Sequence, residues 1–522
     1  MNRFKPQREF LIASLTGVAF SLALSVWLLS AFTILSIIAW LTGMEWRNKK
    51  PSKEDLRCLA AFAIIYMVYI SWMAGTSDIH SGLIGLRLKL PIVIFPLIFA
   101  YSGQAGDKER KIIFTGFLSG IIISSAYGLF AGWEAVSSGL ADSRTLSPLV
   151  SHIRLSLMAV LAIFSAGWYL FRDKERNIWK IFLAVSAAWL TIFIFILSSF
   201  TGIALLILLI GLTLARTALK SGRRWIIILS FSVLSAFAAA LLVFIRIEVK
   251  LFYKPSVNSI AVIPEKTLSG NSYFNDLSRK DLENGNPVWI MICEKELRRE
   301  WNKRSKIEYD SADLKGQAIR YTLVRYMTSE GLRKDSAGMA ALSPTDMSNI
   351  EHGMTNHLFS EWSPLRKKIY ESVWQVDYYL KGGNPSGHSI TQRLEFLKTG
   401  WHIFLSNPFF GVGTGDLSDE YSAEYAREKS VLDSGYRLLC HNQFLTFLVS
   451  FGITGTIIVV ASLLYLFFSR RLYKRFLPLL FFLLIFFSML SEDTLETHAG
   501  VTFFAFFSSL FIFTSGEDDE QQ

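Results

Sequence analysis

Apolar residues along this chain gather in long unbroken blocks and rarely alternate with polar ones. Phe10 to Leu41 reads FLIASLTGVAFSLALSVWLLSAFTILSIIAWL and Phe476 to Leu490 reads FLPLLFFLLIFFSML, with no charge in either. Roughly 20 such residues cross the hydrocarbon of a bilayer, so blocks of this kind predict transmembrane helices. Counted along the chain they predict about twelve spans, the first two sharing the Phe10 to Leu41 run. The expected class is an all-α polytopic membrane protein. Composition agrees, with 51% hydrophobic and 18% charged residues, 42 Phe and 14 Trp. The N-terminus, with Arg3, Lys5 and Arg8 before an apolar run, resembles a signal peptide. The run is too long for one and reads as an uncleaved first span.

Charge changes the picture by giving the spans a direction. With the N-terminus cytoplasmic, the short inner loops hold 23 Lys and Arg, and the short outer loops hold Arg144 alone. Such asymmetry fixes orientation and favours an even number of spans. The net charge of +10 is therefore a matter of topology, and nucleic acid is not an expected partner. Three cysteines, Cys58, Cys293 and Cys440, make no disulfide framework, although Cys293 and Cys440 would both face the outer compartment.

This orientation divides the chain into transmembrane helices one to nine (1–245), an outer loop domain (246–442), helices ten to twelve (443–514) and an acidic cytoplasmic tail (515–522). A hydrophilic loop of that length has to fold or function. Its C-terminal part, SITQRLEFLKTGWHIFLSNPFFGVGTGDL, carries Leu394, Leu397, Trp401, Phe404 and Leu405 at helical spacing. Asn407-Pro408 should end that helix, and Trp401 suits it to the membrane interface.

Polar residues at span ends are the functional candidates, because burying charge in lipid is costly. Arg154, in SHIRLSLMAV with His152 just before it, is either a snorkelling arginine or an anion ligand. Arg393, at the start of the amphipathic helix, is either a solvated charge or a second anion ligand. His441, Asn442 and Gln443 precede the tenth span as a helix cap or as chemistry. Glu492, Asp493, Glu496 and His498 lie in SEDTLETHAG, either a loop made acidic by the exclusion of cations or a set of functional groups. Arg87 and Lys89 fall inside a predicted span, facing a polar cavity instead of lipid. Asp416, with Asp419 and Glu420, offers weak metal chemistry, and no metal or other cofactor is expected. Cys440 and His441, as chain neighbours, make a poor nucleophile–base pair.

RLEFLKTGWHIFLSNPFFGVGTGD followed by HNQFLTFLVSFGITGTIIVV resembles the signature region of the O-antigen ligase and polymerase superfamily, while IRLSL and SEDTLETHAG are similar to its Bacteroidetes-type members. The resemblance implies a GT-C-like glycosyltransferase of the bacterial inner membrane with its site on the periplasmic face. The donor would be a glycan on undecaprenyl pyrophosphate and the acceptor a hydroxyl of lipid A-core. Arg154 and Arg393 would hold the pyrophosphate and His441 would act as general base, without a metal. A repeat-unit polymerase (glycan acceptor) and a protein O-oligosaccharyltransferase (protein acceptor) share these features. A transporter, the alternative from another class, would carry charges in mid-span and broken helices.

Overall fold

The apolar blocks fold as helices, several of which start at polar caps. Ser52 accepts a hydrogen bond from the Asp55 N–H, and the Asp55 carboxylate accepts one from the Ser52 N–H, so both ends of this capping box are satisfied. A computed structural model describes residues 6–43, 50–102, 105–138, 141–172, 177–254 and 263–514. The expected cytoplasmic tail and the basic residues Arg3, Lys5, Arg47, Lys49, Lys174 and Arg176 lie outside the described residues.

In chain order the first helices are α1 (Pro6–Ser21), α2 (Val26–Gly43), α3 (Lys53–Ser71), α4 (Ile79–Lys89), α5 (Pro91–Tyr101), α6 (Asp107–Ser137), α7 (His152–Arg172), α8 (Asn177–Ile196), α9 (Phe200–Ser221) and α10 (Arg224–Tyr253). A two-stranded hairpin, β1 (Leu282–Glu283) and β2 (Asn286–Pro287), precedes α11 (Glu294–Arg304), α12 (Ile319–Ser329), α13 (Ser336–Ala341), α14 (Pro344–Glu351) and α15 (Pro364–Leu380). The chain ends with α16 (Ser389–Ser406), α17 (Leu417–Arg427), α18 (Gln443–Phe468), α19 (Phe476–Met489) and α20 (His498–Phe513). This is an all-α polytopic membrane protein: among the described residues nine helical segments are long and apolar enough to cross a bilayer. The other three expected spans coincide with α1, α19 and α20, of 16, 14 and 16 residues.

Two compact units result, one of residues 1–129, 147–210 and 393–522, the other of 130–146 and 211–392. In the first unit, polar contacts join loops that the expected topology puts at one same end. Arg8 pairs with Glu109 and Arg470 with Asp55, all on the inner side of that topology. At the outer end, Asp416 accepts the backbone N–H groups of Ser77 and Asp78, at 2.7 Å each.

The glycine-rich turn after α16 has a packing role. α18 breaks at Gly452, whose φ is 61°, and the turn supplies partners for the freed backbone. Ile453 donates its N–H to the Pro408 carbonyl at 2.8 Å, while Val412 and Gly413 donate to the carbonyls of Val449 and Ser450 at 2.9 Å each. Broken helices persist in membranes only where such partners exist. Close approach explains the glycines: a Cβ on Gly452 would lie 2.3 Å from the Phe409 carbonyl carbon, and one on Gly411 would lie 2.5 Å from the Val449 carbonyl oxygen.

In the second unit, Trp301, Tyr309, Ile319, Leu323 and Met327 form a buried core under α11, α12 and α14. Asn284 and Gly285, both with positive φ, make the hairpin turn between β1 and β2.

Gly452→Ala should lower the melting temperature of the detergent-solubilised protein, because an L side chain pays about 1–2 kcal/mol for a left-handed backbone before the clash with Phe409 is added. Differential scanning fluorimetry checks this, and a melting point equal to that of the unmodified protein would contradict the packing role.

Candidate functional site

The site grows from the polar triplet before α18. Asn442 caps that helix, its side-chain oxygen accepting the Leu445 N–H at 3.0 Å, while its amide donates to the Leu490 carbonyl at 2.9 Å. Gln443 reaches the same loop, donating to Glu496 at 2.9 Å and accepting the Leu495 N–H at 2.7 Å. Lys89, 1% exposed, pairs with Glu496 at 2.6 Å, and the Tyr69 hydroxyl donates to Glu496 at 3.3 Å. Thr446 donates to Asp493 at 2.8 Å. The 490–497 loop is thus held by side chains from α3, α4 and α18. Burial pushes the Glu496 carboxyl up, but Lys89, Gln443 and Tyr69 outweigh it and hold the group below its ordinary range.

This strapping presents Glu492 and Asp493 to His441. The imidazole Nδ1 lies 4.0 Å from Glu492 and 3.9 Å from Asp493, charge contacts too long to be hydrogen bonds. Arg393, in the first turns of α16, donates to Glu492 at 2.7 Å and keeps 36% of its side chain exposed. Arg154, in the first turn of α7, is half-buried, and its charge acts on His441 and Glu492. Among the described residues it makes no hydrogen bond or ion pair of its own. His441 has a φ of 49°, a left-handed backbone uncommon for a residue with a Cβ. Such strain is often met at functional positions.

Electrostatics separates the groups. Burial lowers the His441 pKa below its ordinary value; Glu492 pulls it up, and Arg393 and Arg154 push it down again. Burial raises Glu492, against Arg393, His441 and Arg154. Burial also raises Asp493 to about 6, although Thr446 and the N–H groups of His441 and Asn442 oppose it. Beside a neutral imidazole stand one paired and one unpaired guanidinium, an arrangement that can take a proton and bind an anion. An apolar groove of about 480 Å³ opens next to it, lined by Leu397, Trp401, Phe444, Leu445 and Leu448 with Lys398 and Asn442.

The residues singled out in the sequence separate into distinct settings. Arg154, Arg393, His441 and Glu492 come together. Asn442, Gln443, Lys89 and Glu496 form the scaffold beneath them. Asp416 anchors the 77–78 backbone with both carboxylate oxygens. Arg87 is exposed on the last turn of α4, and His152 opens α7. The acidic loop is more than a by-product of cation exclusion, since Glu492 and Asp493 are each only 8% exposed. Asp493 joins the site from that loop, and Thr446, inside an apolar helix, joins it with no signal in the sequence. Cys440 is buried, its thiol pushed up to about 11, chiefly by burial, and all three cysteines are free. His402, Glu424 and Glu428 have ligand atoms within 4.8 Å of one another, a set that could hold a divalent cation. His402 already pairs with Glu428, and Glu424 with Arg427.

Residues 352–460 match the O-Antigen ligase family, Wzy_C. That segment contains Arg393, His441, Asn442 and Gln443, so the match falls on the helix and the triplet that build the site. It supports the O-antigen ligase superfamily and, with it, a ligase- or polymerase-type glycosyltransferase activity on lipid-linked glycan and acceptor substrates in a membrane. No curated protein matches the chain.

Lys89→Met leaves the Glu496 carboxylate buried without its cation, and breaking a buried pair from one side costs about 3–5 kcal/mol. The variant should melt well below the unmodified protein, and Lys89→Met with Glu496→Gln should recover part of that loss. Fluorimetry of the single and double variants checks both statements.

Proposed function

We propose that the protein is an O-antigen ligase that transfers a glycan from undecaprenyl pyrophosphate to a hydroxyl of lipid A-core on the periplasmic face of the inner membrane. The observation that carries this reading is the grouping of a neutral, half-buried His441 with Arg393 and an unpartnered Arg154 at the mouth of α18. The exposed apolar groove beside Asn442 supports a donor with a lipid tail.

In this mechanism His441 takes the proton of the acceptor hydroxyl as its oxygen attacks the anomeric carbon. The bond from that carbon to the pyrophosphate oxygen breaks, and its electron pair leaves with the lipid pyrophosphate. Negative charge grows on the leaving group, so guanidiniums fixed before the reaction stabilise the transition state more than the ground state. Arg154 meets the pyrophosphate directly. Arg393 shares its donors between Glu492 and the ligand, with five N–H groups available in a planar fork. Glu492 and Asp493 stabilise the imidazolium that forms.

His441→Ala should cost about 10²–10⁴-fold in transfer rate, the usual worth of a general base. Cells depending on it, or on Arg154→Ala, should make rough lipopolysaccharide and accumulate lipid-linked polymer while the protein still inserts. A lipopolysaccharide carrying one repeat would assign polymerisation instead, and unglycosylated proteins with intact lipopolysaccharide would assign protein transfer. Full activity of His441→Ala would remove the general base.

The pH dependence follows from the same charges. Burial and the two arginines disfavour the imidazolium, so the acid limb of kcat/KM should lie below the ordinary histidine value of about 6.5. Glu492→Gln removes an anion that raises that pKa, so the limb should move to still lower pH. A limb moving upward in a pH–rate profile of the variant would show that His441 is not the titrating base.

A further inference from the structure

The 211–392 unit contains an open cavity of about 630 Å³ whose lining differs from both a lipid groove and a metal site. Its volume falls within the roughly 300–1,000 Å³ of small-ligand sites. Aromatic rings and guanidiniums interleave around it: Phe274, Trp289, Tyr309 and Tyr321 with Arg279 and Arg320. Phe274 and Tyr321 are 57% and 44% exposed, so ring surface is left open on a folded domain.

The platform is held rigid before any ligand arrives. Arg279 lies 3.6 Å over the Trp289 ring, and Tyr321 meets Trp289 edge-on at 5.9 Å. Asp281 locks the pair, accepting both the Trp289 indole N–H and an Arg279 N–H.

We propose that this cavity is a saccharide-binding site. A pyranose ring presents an apolar C–H face and an edge of hydroxyls. The open aromatic surface fits the first, and planar guanidinium donors fit the second. An apolar ligand would leave the arginine donors unused. Arg279 is bound to Asp281, Arg320 lies over Tyr321 and Glu294 lines the cavity beside Lys295, so hydroxyls suit the site better than a bare anion does. The proposal rests on the ligase reading only for which glycans are offered to it: the cavity recognises sugar units of one of the two substrates, away from the reacting bond.

The test uses the full chain in nanodiscs, with saturation-transfer NMR and calorimetry and no turnover. Two lipid-free probes are used, both taken from the producing cell: the polysaccharide released by mild acid, and core oligosaccharide lacking that polysaccharide. Saturation of the ring protons of either probe is expected. The Phe274→Ser/Tyr321→Ala double variant, which changes two exposed side chains, should bind at least about tenfold more weakly with unchanged melting. Binding of the polysaccharide alone assigns the cavity to the donor, and binding of the core alone assigns it to the acceptor. His441→Ala should bind as the unmodified protein does, so loss of the transfer mechanism and loss of this site are read separately. No saturation of either probe at millimolar concentration, or undiminished binding by the double variant, overturns the proposal.

Discussion

Glu496 is the point on which the site depends. Its carboxylate takes donors from Lys89, Gln443 and Tyr69, which belong to three different helices. A buried carboxylate is tolerable only when paired and hydrogen-bonded, and here these partners are sufficient to keep it ionised. From that fixed point the 490–497 backbone runs past Asn442 and Thr446, and Glu492 and Asp493 reach the imidazole. Arg393, Thr446 and Asn442 then complete the placement, holding Glu492, Asp493 and the Leu490 carbonyl.

Above this anchor the charges are unequally satisfied, and the inequality is the useful part. Arg393 is paired with Glu492, Asp493 accepts from Thr446, and Arg154 is left with charge but no partner. Burial and two guanidiniums hold the histidine neutral, while the carboxylates keep a counter-charge close by. Groups whose environments push their pKa values apart commonly mark acid–base chemistry.

Much of this was legible in the sequence. The uncharged blocks predicted the helices because lipid leaves no alternative way to satisfy the backbone, and the positions of the helices agree with the expected spans. Arg154, Arg393 and His441 stood out because each is a polar residue at the edge of an apolar helix. Asn442 and Gln443 stood out for the same reason, yet they act through the 490–497 loop, and nothing local in HNQ says which carbonyl its amides will reach. Asp493 stood in a loop whose acidity topology already explained, and nothing local marked Thr446 as its partner. The partner of the glycine-rich turn is the break at Gly452, some 40 residues on, visible only once both segments are packed.

The shortness of α19 has a consequence for the lipid itself. At 14 residues it is about 21 Å long, against roughly 30 Å of hydrocarbon. As a span it imposes hydrophobic mismatch, met by thinning of the bilayer around it or by a recessed 490–497 loop. Either accommodation brings polar side chains below the ordinary headgroup level. Under the proposed function, a lipid-linked donor entering from the side would then meet its charged partners along a shortened path, in a locally deformed leaflet.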